Sequence, residues 1–377
     1  MRVIAVAKAL QRKGHEVKIL AGEQQIPIMQ SNALEVIAMP SLPKFDFPYQ
    51  VLLGTDEQPK EEIMNRMQEI KQLIIAAEQE IIQTEKPDVL LCGNLTGSSS
   101  AQAANIPCVM VLLQPHGLKT IELFTRRLPK TVQNFDMLKA VNLLIMEGIP
   151  ELDGGASAAN KGEWSLAIKD KLRFTGPLLV ETPESLPSRE ELKIRHAGNQ
   201  ARPLIYVTIG GGTQLIGEDF LTLVLDAFRS LPDVQGVIAT GLAIEPEQLS
   251  GYNPPDNVII RGFVPGLELI KASDVTVFHG GSSTLMTCLA CGTPAVVVPS
   301  MAEQEDNGAV LEQNGAGIVL SKNGLTPAAL AEAVQKILSE RSFRNNAQRL
   351  KDQCDKYGGA QAAAVMVEQL VKRENAS

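Results

Sequence analysis

The sequence predicts an α/β protein made of two doubly wound parallel-sheet domains. Three observations carry this reading. Strands such as DVLLCGN, CVMVLL, DVTVFHGG and PAVVVPS are almost continuously apolar, as strands covered on both faces must be. They alternate with helical segments along the whole chain. The alternation halts at a stretch holding Pro177, Pro183 and Pro187 and then starts again, which marks a linker between two units. A length of 377 residues allows about two domains.

Taken in order, Val3, Val6, Ala7 and Leu10 recur at helical spacing, and Gly14 fits the left-handed position that ends a helix. EVKIL and LEVIAMP read as strands, and residues 56–86 as a long helix with Met67, Ile70 and Ile74 on one side. Pro87 stops it, and two strands separated by the helix SSSAQAANIP follow. Residues 115–170 are less regular. In the second half, PLIYVTIGGGT is a buried strand running into a glycine loop, and four further strands alternate with helices. Helices are expected near 326–339, 341–355 and 360–373. The expected division is 1–178 for the first domain, 179–192 for the linker and 193–359 for the second domain, with the helix of 360–377 packing back on the first.

Composition narrows the function classes. A net charge of −8 and few basic clusters argue against a broad nucleic-acid surface. The stretch Arg126, Arg127, Lys130 is short and reads as a solvated helix end, with an anion or lipid-headgroup patch as the other reading. No apolar run approaches the ~20 residues that span a bilayer, although peripheral membrane contact stays open. The five cysteines have no zinc-ligand spacing, and Cys288 and Cys291 read as small buried residues on one helix. This usage suits a reducing, cytoplasmic setting.

Ligands of open α/β sheets bind beyond the carboxyl ends of strands. Four loops of the second half qualify: GGGT at 210–213, GFVP at 262–265, HGGSST at 279–284 and PSMAEQEDN at 299–307. In HGGSST, two glycines let the backbone approach a ligand, and Ser282, Ser283 and Thr284 open a helix. A helix start with hydroxyls can hold a phosphate, or it can be an ordinary helix cap.

Together these loops resemble the donor-binding signature of nucleotide-sugar glycosyltransferases of the GT-B fold. The similarity is greatest to the UDP-glycosyltransferase group that includes the macrolide glycosyltransferases, and more distant to MurG-type enzymes. The shared frame is His279-Gly280-Gly281, Gly292-Thr293-Pro294, Pro299, Glu303-Gln304 and Asn307, preceded by the loop of Phe263, Val264 and Pro265. The resemblance covers nearly the whole chain. It is specific over 279–307 and generic in the first half. It implies two domains facing across a cleft and a hexosyltransferase-type enzyme. Such an enzyme moves a sugar from a UDP- or dTDP-sugar to a hydroxyl of a small, apolar or lipid-like acceptor by direct inverting displacement. The nucleotide-sugar is then a substrate; no cofactor and no metal are implied.

The resemblance also implies roles. His279 and Gly281 face the diphosphate, with Ser282 beside them and Ser283 and Thr284 on phosphate oxygens. Gly211, Gly212 and Thr213 lie by the same diphosphate. Phe263 lies against the base and the Val264 backbone reads its edge, while Glu303 and Gln304 hold sugar hydroxyls. Asn94 and His116 are acceptor-side candidates. Gly266 and Thr287 stand where many members carry the Gln and Glu that bind the ribose, which points to a dTDP-sugar or a loose choice of nucleotide. The aromatics Phe45, Phe47, Tyr49, Phe124 and Phe135 fit either an apolar acceptor or packing under loops.

The family's catalytic base, a histidine in a loop before the first helix, is expected ahead of Met1. His15 reads instead as a turn residue away from the cleft, and His196 as solvated. The catalytic residue is therefore unassigned. A non-catalytic nucleotide-sugar-binding protein is the alternative reading.

Overall fold

The computed structural model describes residues 2–40, 61–93, 96–117, 119, 140–152, 169–198, 200–210, 217–241, 244–374 and 376. Asn94, Gly211, Gly212, Thr213, Arg126, Arg127, Lys130 and the five acceptor-side aromatics named above lie outside these residues.

The second half forms one six-stranded parallel sheet. Its strands are β7 (Leu204–Thr208), β8 (Gln235–Ala239), β9 (Val258–Arg261), β10 (Val275–Phe278), β11 (Ala295–Val297) and β12 (Gly317–Val319). Their spatial order is β12-β11-β10-β7-β8-β9. Chain direction through the sheet therefore reverses between β7 and β10, which pair directly with Thr208 opposite Phe278. That reversal opens a crevice beyond the carboxyl ends of these two strands. Every residue of β7, β8 and β10 is buried, because helices cover both faces.

The helices here are α5 (Arg189–Ala197), α6 (Glu218–Arg229), α7 (Gly266–Ala272), α8 (Ser282–Cys291), α9 (Ala302–Gln313), α10 (Pro327–Ser339) and α11 (Arg341–Asp355). One apolar cluster joins α5, α7, α8 and α11 to one face of the sheet, and a second joins α6 and α10 to the other. α5 starts inside the stretch expected to be linker. Ser188 accepts from the Glu191 amide, and the Glu191 carboxylate accepts from the Ser188 amide at 2.8 Å. This capping box starts a helix at Arg189 in spite of the nearby prolines.

The first half holds α1 (Arg2–Arg12), β1 (Lys18–Ala21), α2 (Ile26–Ser31), β2 (Glu35–Ala38), α3 (Glu61–Glu85), β3 (Leu90–Cys92), α4 (Gly97–Ala104), β4 (Cys108–Leu113), β5 (Leu143–Glu147) and β6 (Leu172–Gly176). Strands β3 to β6 form a four-stranded parallel sheet in sequence order, and β1 and β2 form a separate parallel pair. α1 serves both. Ala5, Val6 and Ala9 pack towards β4 and β5, while Ile4 and Ala7 pack with Leu34 and Ile19.

The last helix, α12 (Gly359–Glu374), lies on this half. Its Ala360, Ala363, Ala364 and Val367 join the cluster of α1, β4 and β5, and the small side chains allow close approach to Ala5 and Ala9. Glu368 of α12 accepts from His15 at 2.7 Å and pairs with Lys13 at 3.2 Å, which fixes the turn after α1. Among the described residues no helix is long and apolar enough to cross a membrane.

Candidate functional site

Among the described residues, the loop after β10 and the start of α9 bring together His279, Gly281, Ser282, Glu303 and Gln304. β10 ends at the fully buried Phe278, and the chain then turns through His279, Gly280 and Gly281 into α8. Gly280 has φ +89°, and a Cβ there would lie 2.7 Å from the Gln304 carbonyl, so only glycine fits. Gly281 is the N-cap of α8 and has no side chain to cap it. The first amides of the helix therefore point into the crevice without a capping oxygen, at the positive end of the helix dipole. Ser283 is exposed and Thr284 half-buried on this first turn.

His279 is wedged between two glycines. A Cβ on Gly210 would lie 2.7 Å from its Cε1, and one on Gly281 would lie 2.5 Å from its Nε2. The loop after β7 and the loop after β10 thus meet at this ring. Burial lowers the His279 pKa to about 4, so the imidazole is neutral at physiological pH. Its Nδ1 is buried and has no hydrogen-bond partner.

The acid–amide pair sits at the start of α9, facing the same loop. Oε1 of Glu303 accepts from the Ser282 hydroxyl and, at 2.9 Å, from Asn307. Oε1 of Gln304 accepts from the Ser300 amide and hydroxyl, both at 2.9 Å. Gln304 is buried, and Glu303 is half-buried. Ser282 is buried too, so its hydroxyl serves Glu303, and the exposed hydroxyl at the helix start belongs to Ser283.

Phe263, in the loop after β9, is 80% exposed. A large aromatic face left in water in a loop beyond the carboxyl end of a strand suits stacking on a planar ring. Val264 beside it is half-buried against the core. Thr287 turns back on its own helix, donating to the Ser283 carbonyl at 2.8 Å.

On the opposite side, the loop after β4 reaches α9. Gly117 lies so close to Asp306 that a Cβ would meet its carboxylate at 2.3 Å, and Lys119 pairs with Glu305. His116 is buried, and its Nδ1–H donates to the Leu152 carbonyl at 3.1 Å. His196, expected to be solvated, is instead half-buried and bonded to Glu268 of α7 at 2.7 Å, because α5 packs along α7. Glu147, at the end of β5, is buried and pairs with Arg2, and it accepts from the Leu178 amide at 2.9 Å. Burial raises its pKa in spite of that pairing.

The sequence reading missed three features. Ser300 anchors Gln304, Gly210 walls in His279, and Asn307 joins the two loops. Asn307 stood in the recognised frame without a role. Ser300 and Gly210 lay inside the loops PSMAEQEDN and GGGT without a role of their own, because their contacts are tertiary.

Known proteins resemble this arrangement. Residues 230–367 match the family model "Erythromycin biosynthesis protein CIII-like, C-terminal domain". The chain is 26% identical to NDP-glycosyltransferase YjiC of Bacillus subtilis over 393 aligned positions, covering 98% of this chain and 94% of that one. Among solved structures, the calicheamicin glycosyltransferase CalG4 superposes with a TM-score of 0.72 at 18% identity, over 99% of this chain and 95% of that one. The Streptomyces sp. SF2575 glycosyltransferase SsfS6, complexed with thymidine diphosphate, gives 0.65 at 20% identity, over 98% and 96% of the two chains. Over residues 230–367 the chain is therefore similar to the EryCIII-like C-terminal domain, over nearly its whole length it is similar to an NDP-glycosyltransferase, and it shares the GT-B fold of the solved glycosyltransferases.

Proposed function

We propose that the chain binds a nucleoside diphosphate sugar in the β7–β10 crevice and transfers the sugar to a hydroxyl of a small, apolar or lipid-like acceptor. The observation that carries this reading is the meeting of an uncapped helix start with the neutral, buried His279, whose Nδ1 lacks a partner. Amides, a hydroxyl and a neutral ring can hold a diphosphate without a competing cation. They also stabilise the charge that grows on the diphosphate as it leaves, which is the main electrostatic demand of the reaction.

In the proposed inverting step, the acceptor oxygen bonds to the anomeric carbon as the bond from that carbon to the diphosphate breaks. The nucleoside diphosphate departs, and the acceptor's proton passes to a base. Phe263 stacks on the nucleobase, while Glu303 and Gln304 hold the sugar. Thr287, turned onto its own helix, is not aimed at a ribose hydroxyl, which supports a dTDP-sugar or a relaxed choice between dTDP and UDP.

One observation favours the second reading, a protein that binds the donor without transferring it. All four histidines are engaged elsewhere. His15 bonds Glu368, His196 bonds Glu268, His116 is buried on the Leu152 carbonyl, and His279 is in the donor loop. The test is to titrate the chain with dTDP and UDP, then incubate it with dTDP- and UDP-hexoses and a panel of phenolic and polyketide alcohols. Micromolar binding with glycoside formation of inverted anomeric configuration is expected for the enzyme. Binding without release of nucleoside diphosphate favours the second reading, and binding of neither nucleotide overturns both.

A further inference from the structure

Asn307 is the point at which the diphosphate loop and the sugar helix are tied together. It lies on α9, one helical turn after Glu303, and is 2% exposed. Its Nδ2 donates to the Gly280 carbonyl at 2.8 Å, to Glu303 Oε1 at 2.9 Å and to the Ser282 hydroxyl oxygen at 3.3 Å. Two hydrogens therefore serve three acceptors, and those acceptors belong to two different parts of the site. Gly280 is the apex of the loop into α8; Glu303 is the acid of α9. The same loop is in van der Waals contact with α9 at the Gln304 carbonyl, so little else needs to be fixed for the two to move as one body.

We propose that Asn307 is a positioning residue that holds the Glu303 carboxylate in register with the diphosphate loop, so that sugar and diphosphate are gripped as one rigid unit. The proposal rests on the reading of the crevice as a nucleotide-sugar site. Buried beneath the crevice, Asn307 acts through Glu303 and Gly280 rather than by touching the ligand. The amide is required for its donors: the facing groups are a carbonyl, a carboxylate and a hydroxyl already donating to that carboxylate, so the tether must come from a group with a hydrogen to donate.

Asn307→Asp tests this with a readout that a general packing defect would not produce. The variant replaces the donating amide with a carboxylate beside Glu303 and the Gly280 carbonyl. Burial and the neighbouring charge raise the new carboxyl's pKa, and once protonated it regains a donor. Affinities for dTDP and for a dTDP-hexose are measured by calorimetry across pH 5 to 8, and the extra affinity contributed by the sugar is taken as their ratio. At pH 8, Asn307→Asp is expected to lose that extra affinity while dTDP binding stays within about threefold, and transfer where present falls ~10²-fold, the scale of a small misplacement of reacting groups. As pH falls, the variant recovers its sugar increment and the wild type shows no such recovery.

Asn307→Ala provides the second arm should the Asp variant fail to fold. It should lose the sugar increment at every pH, with no recovery. Either variant binding the sugar nucleotide with the wild-type increment at pH 8 overturns the proposal, as does an equal loss of dTDP and dTDP-hexose affinity. The nucleotide used is whichever of dTDP and UDP the wild type binds, and wild-type protein that binds neither nucleotide nor its hexose overturns the functional reading instead, and the tether's role with it.

Discussion

The imidazole of His279 lies against the backbone of Gly210, so close that a Cβ on the glycine would come within 2.7 Å of Cε1. This contact joins the loops that follow two neighbouring strands of the sheet, β7 and β10. Gly210 also has φ +77°, a conformation that side-chain-bearing residues rarely adopt. Gly210→Ala should therefore strain the backbone by ~1–2 kcal/mol and push the ring from its place. The expected result is a loss of dTDP affinity of ~10-fold or more, with a smaller drop in melting temperature. Titration calorimetry checks the first and thermal denaturation the second. Unchanged affinity would show that the ring's position does not matter to the nucleotide.

The buried ring also predicts a pH dependence of stability. Its folded pKa of about 4 lies below the ordinary 6.5, so between these values the unfolded chain binds more protons at this site than the folded one. Stability from this group is fully present above pH 6.5 and is lost as pH falls towards 4. The change is bounded by about 3 kcal/mol, the free energy of that difference in pKa. His279→Gln removes the titrating group and puts a neutral polar amide in its place. Urea denaturation at pH 7, 6, 5 and 4.5 should show a shallower loss of stability in the variant than in the wild type. Parallel pH profiles would mean that the ring is free to take a proton in the folded state.

The loops of the candidate site were legible in the sequence because their features are local. His279, two glycines and the hydroxyls at the helix start sit within six residues, and the acid–amide pair of α9 is fixed by the same short frame. What was not legible is what joins them. The meeting of Gly210 with His279 depends on β7 and β10 being neighbours, and the Ser282–Glu303–Asn307 network depends on how α9 crosses the loop. His196 illustrates the same limit: a polar helix suggested solvent, but Glu268 arrives from α7. The start of α5 was written in the sequence as Ser188 and Glu191, a capping box next to the prolines. Within the fold, the doubly wound alternation was readable from continuous apolar strands, whereas the separation of the β1–β2 pair from the four-stranded sheet was not.

At the opposite end of the second sheet, Asp274 binds a group of cations. Arg189 forms an ion pair with it, Lys193 lies 2.7 Å away and Arg344 3.8 Å away, and the Leu204 amide donates to it at 2.8 Å. Burial alone would raise the carboxyl's pKa, but the charge of Arg189 and the hydrogen bonds hold it below the usual carboxylate range. Arg344, itself pushed down to about 10 by burial and by Arg189, also donates to the Gly292 carbonyl at the end of α8 and to the Ser273 carbonyl at the end of α7. Asp274→Ala leaves three partly buried cations without their anion, and removing one partner of such a group costs ~3–5 kcal/mol. The loss should appear in urea denaturation at pH 7, and Asp274→Asn should recover part of it by keeping the bond to the Leu204 amide. Dispensability of the carboxylate would be shown by a cost below about 1 kcal/mol, the level of an ordinary surface pair.

The contact of Gly117 with Asp306 is where the first half of the chain meets α9. Asp306 lies within one helical turn of Glu303 and Gln304, so pressure at Gly117 is passed to the residues proposed to hold the sugar. A Cβ at Gly117 would fall 2.3 Å from the Asp306 carboxylate, and Lys119 two residues on pairs with Glu305 across the same junction. Gly117→Val should push the loop and helix apart. The apolar cores should stay intact, since none of the clusters around α1 and β7 includes Gly117, Lys119, Glu305 or Asp306. The expected outcome is a melting temperature within ~2 °C of wild type, unchanged dTDP affinity, and a several-fold rise in KM for the sugar nucleotide. Gly117→Val with Asp306→Gly makes room at the junction and should restore KM. Failure of that second change to restore it would place the effect of the valine elsewhere than at α9.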